Sequence, residues 1–410
     1  MDFNTLLSNV QRTARASQRN GRDSERHEVS TPTGSQSQQH SRHRPPNNNN
    51  NNNNNNQQSR KRHRHTFRGQ TFNFHEMRFA IATLQRQPMS PALPSGKDDD
   101  QPFHLALLFV TIDELPYEHI WKEWASQAND ANLVQISVIV HSKYPNKIKS
   151  SWLKSKHLVQ PPQQGRGTEY SSPRYHTRSP EWGSIEITRA MLDLIHEGLH
   201  VGVTGRNDDF RFSTDRYTLG GPPTQHVDAF AFVSESCLPV VPLKEFCANV
   251  RANRSWVNFR NAPNNGFSRQ LQFDEIDPCI TDCHKHKADQ WCLLSHRHAT
   301  ILMDMDQHLP VPLWLCFLDT KASDELYIAT SLSLSGILSE VEQKRLTYCD
   351  WSESAKNPAT FSNGKEDLKR IVMLSLNEGC LFARKFATSS PLCKERTGDI
   401  TVEDWKEIVM

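Results

Sequence analysis

Leu105-Ala-Leu-Leu-Phe-Val-Thr111 is an unbroken apolar run of strand length. A strand without polar alternation is one covered on both faces, as in the middle of a parallel sheet. Outward from it, Pro116 opens a helical segment to about Gln127 that sets Tyr117, Ile120, Trp121 and Trp124 on one side. Val134-Gln-Ile-Ser-Val-Ile-Val-His141 is a second β-rich run, and the polar, Pro-rich residues 143–180 read as loops. Residues 185–199 repeat apolar side chains at helical spacing through Ile187, Ala190, Met191, Leu194 and Ile195. Asp228-Ala-Phe-Ala-Phe-Val-Ser234 is a third strand, followed by Pro242 at a helix start and a stripe of Leu243, Phe246, Cys247 and Val250. Strands alternating with helices of this length predict an α/β fold, a mostly parallel sheet flanked by helices.

The ordered body is expected over residues 99–410, with residues 1–98 as a disordered low-complexity tail and linker. Residues 11–70 are rich in Ser, Arg, His, Gln and Asn and include an unbroken Asn run from Asn47 to Asn56. Such a segment has too little apolar surface to offset the entropy of ordering it. A short helical pattern around residues 77–85 interrupts it. Charge follows the same division: residues 1–70 carry 12 Lys/Arg against 4 Asp/Glu, leaving 36 against 42 for the rest. A mildly acidic body argues against a folded nucleic-acid-binding face, so no nucleic-acid partner is expected. The longest apolar-rich runs, residues 105–112 and 311–318, fall well short of the roughly 20 residues of a helical membrane span. Residues 1–20 hold no uninterrupted apolar stretch resembling a signal peptide.

Ligands of open α/β sheets bind beyond the carboxyl ends of the strands. Thr111, His141 and the Ser234-Glu-Ser-Cys237 turn are therefore the first polar candidates. No Gly-x-Gly-x-x-Gly follows the first strand and no Gly-Lys-Ser/Thr phosphate loop is present, which argues against a dinucleotide oxidoreductase or a phosphate-loop NTPase. Cys279, Cys283, His284 and His286 are dense enough to consider zinc, but their spacing is not that of a finger; a Cys279–Cys283 disulfide or free thiols are the other readings.

The order of short motifs is more specific. Leu107-Leu-Phe-Val-Thr111, Ile139-Val-His141, Trp182-Gly-Ser-Ile-Glu186 and Phe232-Val-Ser-Glu-Ser-Cys-Leu-Pro239 come first. Gln290-Trp-Cys-Leu-Leu-Ser295, Ser323-Asp-Glu-Leu-Tyr-Ile-Ala-Thr330 and Thr347-Tyr-Cys-Asp-Trp-Ser352 follow, then Asn357-Pro-Ala-Thr-Phe361 and Leu381-Phe-Ala-Arg-Lys-Phe386. This series resembles the Core-2/I-branching β-1,6-N-acetylglucosaminyltransferase family (glycosyltransferase family 14), in particular its divergent plant and protist members. The resemblance implies a GT-A-type, Rossmann-like fold and inverting transfer of a sugar, N-acetylglucosamine or in relatives xylose, from a UDP-sugar to a glycan or glycoprotein hydroxyl. It implies no cofactor and no divalent metal. Asp304-Met-Asp306, the nearest approach to an Asp-x-Asp, falls in a predicted helix and reads as a solvated face. The resemblance also implies a Golgi or other secretory membrane location, although no anchor segment is visible.

Inverting transfer needs a base for the acceptor hydroxyl and positive charge for the departing diphosphate. By resemblance the base is Glu325, in a segment that reads as a Ser323 N-cap followed by acids in the first helical turn, where the helix dipole favours a carboxylate. By the same resemblance Lys385 contacts the diphosphate. The family's second basic residue is missing: Pro358-Ala359 stands near its place, and Lys356, Lys365 and Arg384 are the candidates to substitute. That departure motivates an alternative, a catalytically inactive glycan-binding member. His141 reads either as a nucleotide contact or as a core-edge residue. Trp182 with Gly183 is expected to shape the donor pocket, and Glu235 and Ser236 to contact the donor. Trp291 and Trp351 are open to sugar stacking or to packing.

Overall fold

The structure is a computed structural model of the 410-residue chain. It describes residues 66–67, 70–71, 74–84, 102–131, 134–158, 178–201, 218–219, 226–250, 254–261, 273, 276, 278–352, 357–387 and 399–410. The poly-Asn segment and the basic cluster at residues 60–65 lie outside the described residues, as does Lys356. All described residues belong to one compact unit, Arg62–Met410.

The elements in chain order are β1 (Thr66–Phe67), β2 (Gln70–Thr71), α1 (Phe74–Leu84), β3 (Phe103–Thr111), α2 (Glu118–Ala131), β4 (Val134–Ser142), α3 (Ser151–Lys156), α4 (Ile185–His200) and β5 (Thr218–Leu219). Then come β6 (Ala229–Ser234), β7 (Leu238–Pro239), α5 (Leu243–Val250), β8 (Phe259–Asn261), β9 (His286–Ala288), β10 (Leu293–Ser295) and α6 (His296–Asp304). The last are α7 (Tyr327–Leu334), β11 (Thr347–Cys349), α8 (Lys365–Asn377), β12 (Phe382–Arg384) and α9 (Val402–Val409). The main sheet runs β10-β6-β3-β4-β5. Its three central strands are parallel, and the short strands β10 and β5 close the edges antiparallel. The fold is thus the expected mixed α/β arrangement, with a parallel centre flanked by helices.

The alternation of side chains across that centre separates two hydrophobic layers. Leu105, Leu107 and Phe109 face the layer of Trp121 and Trp124 from α2. Ala106 and Leu108 face the layer of Leu194 and Ile195 from α4. On β6 the small residues Ala229, Ala231 and Val233 turn toward the tryptophans, and Phe230 and Phe232 turn toward α4. Gly198 on α4 makes room for them: a Cβ there would lie 2.8 Å from Phe230 Cε1. Met77, Ile81 and Leu84 of α1 are buried in the same layer.

A second sheet, β11-β12-β7, stands beside the first. Its β7 edge is fixed by three buried indoles. Trp121 donates to Cys237 O (3.2 Å), Trp405 to Pro239 O (2.9 Å) and Trp124 to Val241 O (2.9 Å). A buried indole N–H needs an acceptor, so the three together hold residues 237–241 in one path. That path begins where β6 ends, at Ser234-Glu-Ser236.

Four local expectations are corrected. Residues 143–180 are not all loop: Ser150 accepts from Leu153 N (3.1 Å) and caps the short helix α3. Asp304-Met-Asp306 is not a solvated helix face, because α6 ends at Asp304 and Asp306 accepts from Leu313 N (2.8 Å), capping the 3-10 segment Leu313–Phe317. Burial raises the Asp306 carboxyl to about 6. Ser323 is not an N-cap, and Glu325 is not in the first turn of an α-helix. The residues Ser323–Glu325 form a separate 3-10 turn, α7 starts at Tyr327, and the Ser323 hydroxyl bonds Thr188 Oγ1 (2.6 Å) instead of a helix N–H.

Candidate active site

Two groups of residues carry the expected chemistry. The first is built on the Ser323–Glu325 turn. It is entered through Ala322, which has a left-handed backbone (φ 57°) rare for a residue with a side chain. Such a conformation persists only where its surroundings impose it. Here Ala322 N donates to Gly183 O (2.8 Å), and Glu325 N closes the turn on Ala322 O (3.0 Å). The Thr188–Ser323 hydroxyl contact ties the same turn to α4. Glu325 Oε2 pairs with Lys287 Nζ at 2.7 Å on β9, while the carboxylate keeps about a third of its surface in solvent. Asp324 is buried beside it. Desolvation, then the Glu325 charge, raises the Asp324 carboxyl to about 7, and its Oδ1 has no hydrogen-bond partner among the described residues.

The second group lies at the ends of β6 and β12. Glu235 follows β6; burial raises its carboxyl, and a backbone hydrogen bond, then the charges of Arg384 and Lys385, oppose that rise. Asp113, beyond the end of β3, acts on the same carboxyl. Ser236 is locked beside the cations because Phe386 N donates to its carbonyl (3.0 Å), and Lys385 O accepts from Phe361 N (2.8 Å). The Arg384 guanidinium stands 4.8 Å from the centre of the Trp291 ring, and its buried Nε has no partner among the described residues. A stacked guanidinium with an unused donor is suited to an incoming anion. Lys385 is exposed.

One stretch of chain connects the groups. Lys287 touches Glu325 and Trp291 touches Arg384, and four residues span about 14 Å of extended chain at most. Of the possible replacements for the missing basic residue, Lys365 is bound to Asp404 (3.3 Å) and Glu407 (2.6 Å) of α9. Arg384 is the described candidate placed beside Lys385.

The remaining candidates fall elsewhere. His141 is buried at the end of β4; desolvation first, then His157 and Arg178, depress it to about 4, and its Nδ1 has no partner among the described residues. It is neutral near pH 7, and the sheet register sets it and Ser234 on either side of Val110, at the carboxyl ends of the parallel strands. Trp182 lies on a different turn from the Glu235 group. It is tied through Gly183 to the Glu325 turn, 74% exposed, with Lys321 Nζ 5.1 Å from its ring centre. Trp291 is buried against Arg384, and Trp351 is 43% exposed. Cys279 and Cys283 are not joined to each other: buried Cys279 lies against Cys316 (Sγ to Sγ 3.1 Å) and Cys283 is exposed. Both His284 Nδ1 and His286 Nε2 meet Ser333 Oγ, at 2.9 and 3.1 Å. Among the described residues no three His, Cys, Asp or Glu side chains converge as metal ligands would.

Lys287, Asp113 and Lys321 were not singled out from the sequence. Lys287 had one usable signal: in His286-Lys-Ala288 the flanking side chains are buried and the lysine points the other way, three residues before the Gln290-Trp291 motif.

Residues 225–372 match a family model that places them among the glycosyltransferases. The model is that of the Core-2/I-branching enzyme, and the similarity extends over these residues of the chain. The matched span contains Glu235, Ser236, Lys287, Trp291 and Glu325, while His141, Trp182, Arg384 and Lys385 lie outside it. No curated protein matches the chain.

Proposed function

We propose that the chain is an inverting glycosyltransferase that moves a sugar, N-acetylglucosamine by family resemblance, from a UDP-sugar to a glycan or glycoprotein hydroxyl. Glu325 is the base. Lys287 occupies Oε2, which leaves Oε1 to take the proton as the acceptor oxygen attacks C1 of the donor sugar. The C1–oxygen bond to the diphosphate breaks with its electron pair leaving on UDP. Arg384 and Lys385 then supply the positive charge that the leaving group needs, in place of a divalent ion. The observation that supports the reading is the Arg384 guanidinium over Trp291 with an unused Nε, next in sequence to Lys385, which offers this chain two cations despite Pro358-Ala359. It also favours an enzyme over an inactive glycan-binding relative. Resemblance further suggests a GT-A-type fold and a Golgi or other secretory membrane setting; among the described residues no helix is long and apolar enough to cross a membrane.

The test is a panel of UDP-sugars assayed for transfer with and without a chelator, comparing wild type with Glu325→Gln. Transfer by wild type should survive the chelator. The variant should lose transfer by at least about 100-fold, the scale of a general base, while binding UDP as before. Undiminished turnover in the variant refutes Glu325 as base, and loss of wild-type turnover in chelator refutes the metal-free scheme.

A further inference from the structure

We infer that Trp182, backed by Lys321, is the platform on which a pyranose ring of the acceptor saccharide rests beside Glu325. The inference rests on the proposed function and moves Trp182 from the donor side to the acceptor side.

Its first support is the exposure of so large an apolar ring. Trp121, Trp124 and Trp405 are fully buried, yet Trp182 keeps 74% of its surface in solvent. Burying an aromatic side chain of this size would stabilise the fold, and the chain forgoes it. The ring is not loosely held, however. Gly183 adopts φ +74°, and a Cβ there would sit 3.3 Å from Lys321 Cγ and 3.4 Å from Ala322 N. A glycine is what allows the two turns to meet so closely.

The second support is position. Gly183 O accepts from Ala322 N, three residues before Glu325, which is about 6 Å along a 3-10 path. On the other side of Trp182, Lys143 Nζ reaches Glu181 Oε1 (3.1 Å) and Ser179 Oγ reaches Lys143 O (3.2 Å). The Trp182 turn is therefore fastened both to the carboxyl end of β4 and to the turn that carries the base.

The third support is chemistry. A pyranose presents a face of C–H groups to an aromatic ring and hydroxyls around its rim. Lys321 lies over the indole and offers N–H donors to such hydroxyls. The cations assigned to the donor diphosphate, Arg384 and Lys385, belong to the other group, on Glu235. Donor and acceptor are thus assigned to separate groups of residues.

The experiment uses the full chain loaded with UDP and a panel of lactose, N-acetyllactosamine and chitotriose, with binding read by saturation-transfer NMR and UDP affinity by calorimetry. Wild type should bind at least one saccharide. Trp182→Ala should weaken that binding at least about tenfold, Trp182→Phe should retain most of it, and UDP affinity should stay within twofold in both. Where transfer is measurable, the acceptor KM should rise while kcat changes little. Equal saccharide binding by wild type and Trp182→Ala overturns the inference, as does absence of binding by wild type to every saccharide. Loss of UDP affinity in Trp182→Ala overturns it too and returns the ring to the donor. Should no UDP-sugar support transfer while saccharide binding still depends on Trp182, the catalytic reading fails and the platform stands.

Discussion

Asp324 is a carboxyl in an environment unlike water. It is buried without a partner for Oδ1 among the described residues, next to the Glu325 charge, and its carboxyl is raised to about 7. The consequence for stability has a definite sign. Below about pH 3 the carboxyl is protonated in folded and unfolded chains alike and has no effect. As pH rises toward 7, the unfolded chain ionises while the folded one keeps its proton, so folding loses free energy; above 7 the loss is constant. The ceiling is about 4 kcal/mol at the usual conversion. Asp324→Asn should therefore unfold at the same urea concentration as wild type near pH 3 and at a higher one at pH 8. Parallel urea curves at both pH values would mean that the side chain is hydrated after all. The same substitution should leave the Lys287–Glu325 pair standing, since that contact does not pass through Asp324.

Among the elements, the contact between α4 and β6 shows how closely the layers fit. Ala at position 198 gains about 1 kcal/mol of helix propensity, but its Cβ would press on the edge of the fully buried Phe230 ring at 2.8 Å. Overpacking of a dense core costs about 1–3 kcal/mol, so Gly198→Ala should lower the unfolding free energy by up to about 2 kcal/mol in urea titrations. A more stable variant would show that the ring yields freely. Elements of this kind were readable beforehand, because the runs at residues 105–111, 134–141 and 228–234 and the apolar stripe of α4 repeat with strand and helix periods. The turn carrying Glu325 was misread for a physical reason. Ser-Asp-Glu is what an N-cap with acidic first turn looks like locally, and only the distant partners Thr188 and Gly183 draw Ser323 and Ala322 into a different turn. The basic pair 384–385 was legible as a motif, but its neighbours were not: Glu235 and Trp291 reach it from other elements across more than 90 residues of sequence.

For the whole molecule, the question is which part of the chain carries the chemistry. Positive charge is concentrated in residues 1–70 and the remainder is mildly acidic. Every residue assigned to the site lies at position 113 or beyond, and the buried layers begin at Met77. The compact unit Arg62–Met410 also contains all the Trp indole contacts that fix residues 237–241. If this unit is the transferase, removing residues 1–65 should leave UDP affinity and donor turnover within twofold of the full chain. The change should appear instead in properties set by net charge, with weaker retention on an anionic resin and weaker adsorption to a generic polyanion such as heparin. Should the shortened protein keep its fold by circular dichroism yet lose turnover, the basic segment would be part of the working site. A function centred on polyanion binding would then displace the one argued from Glu325, Arg384 and Lys385.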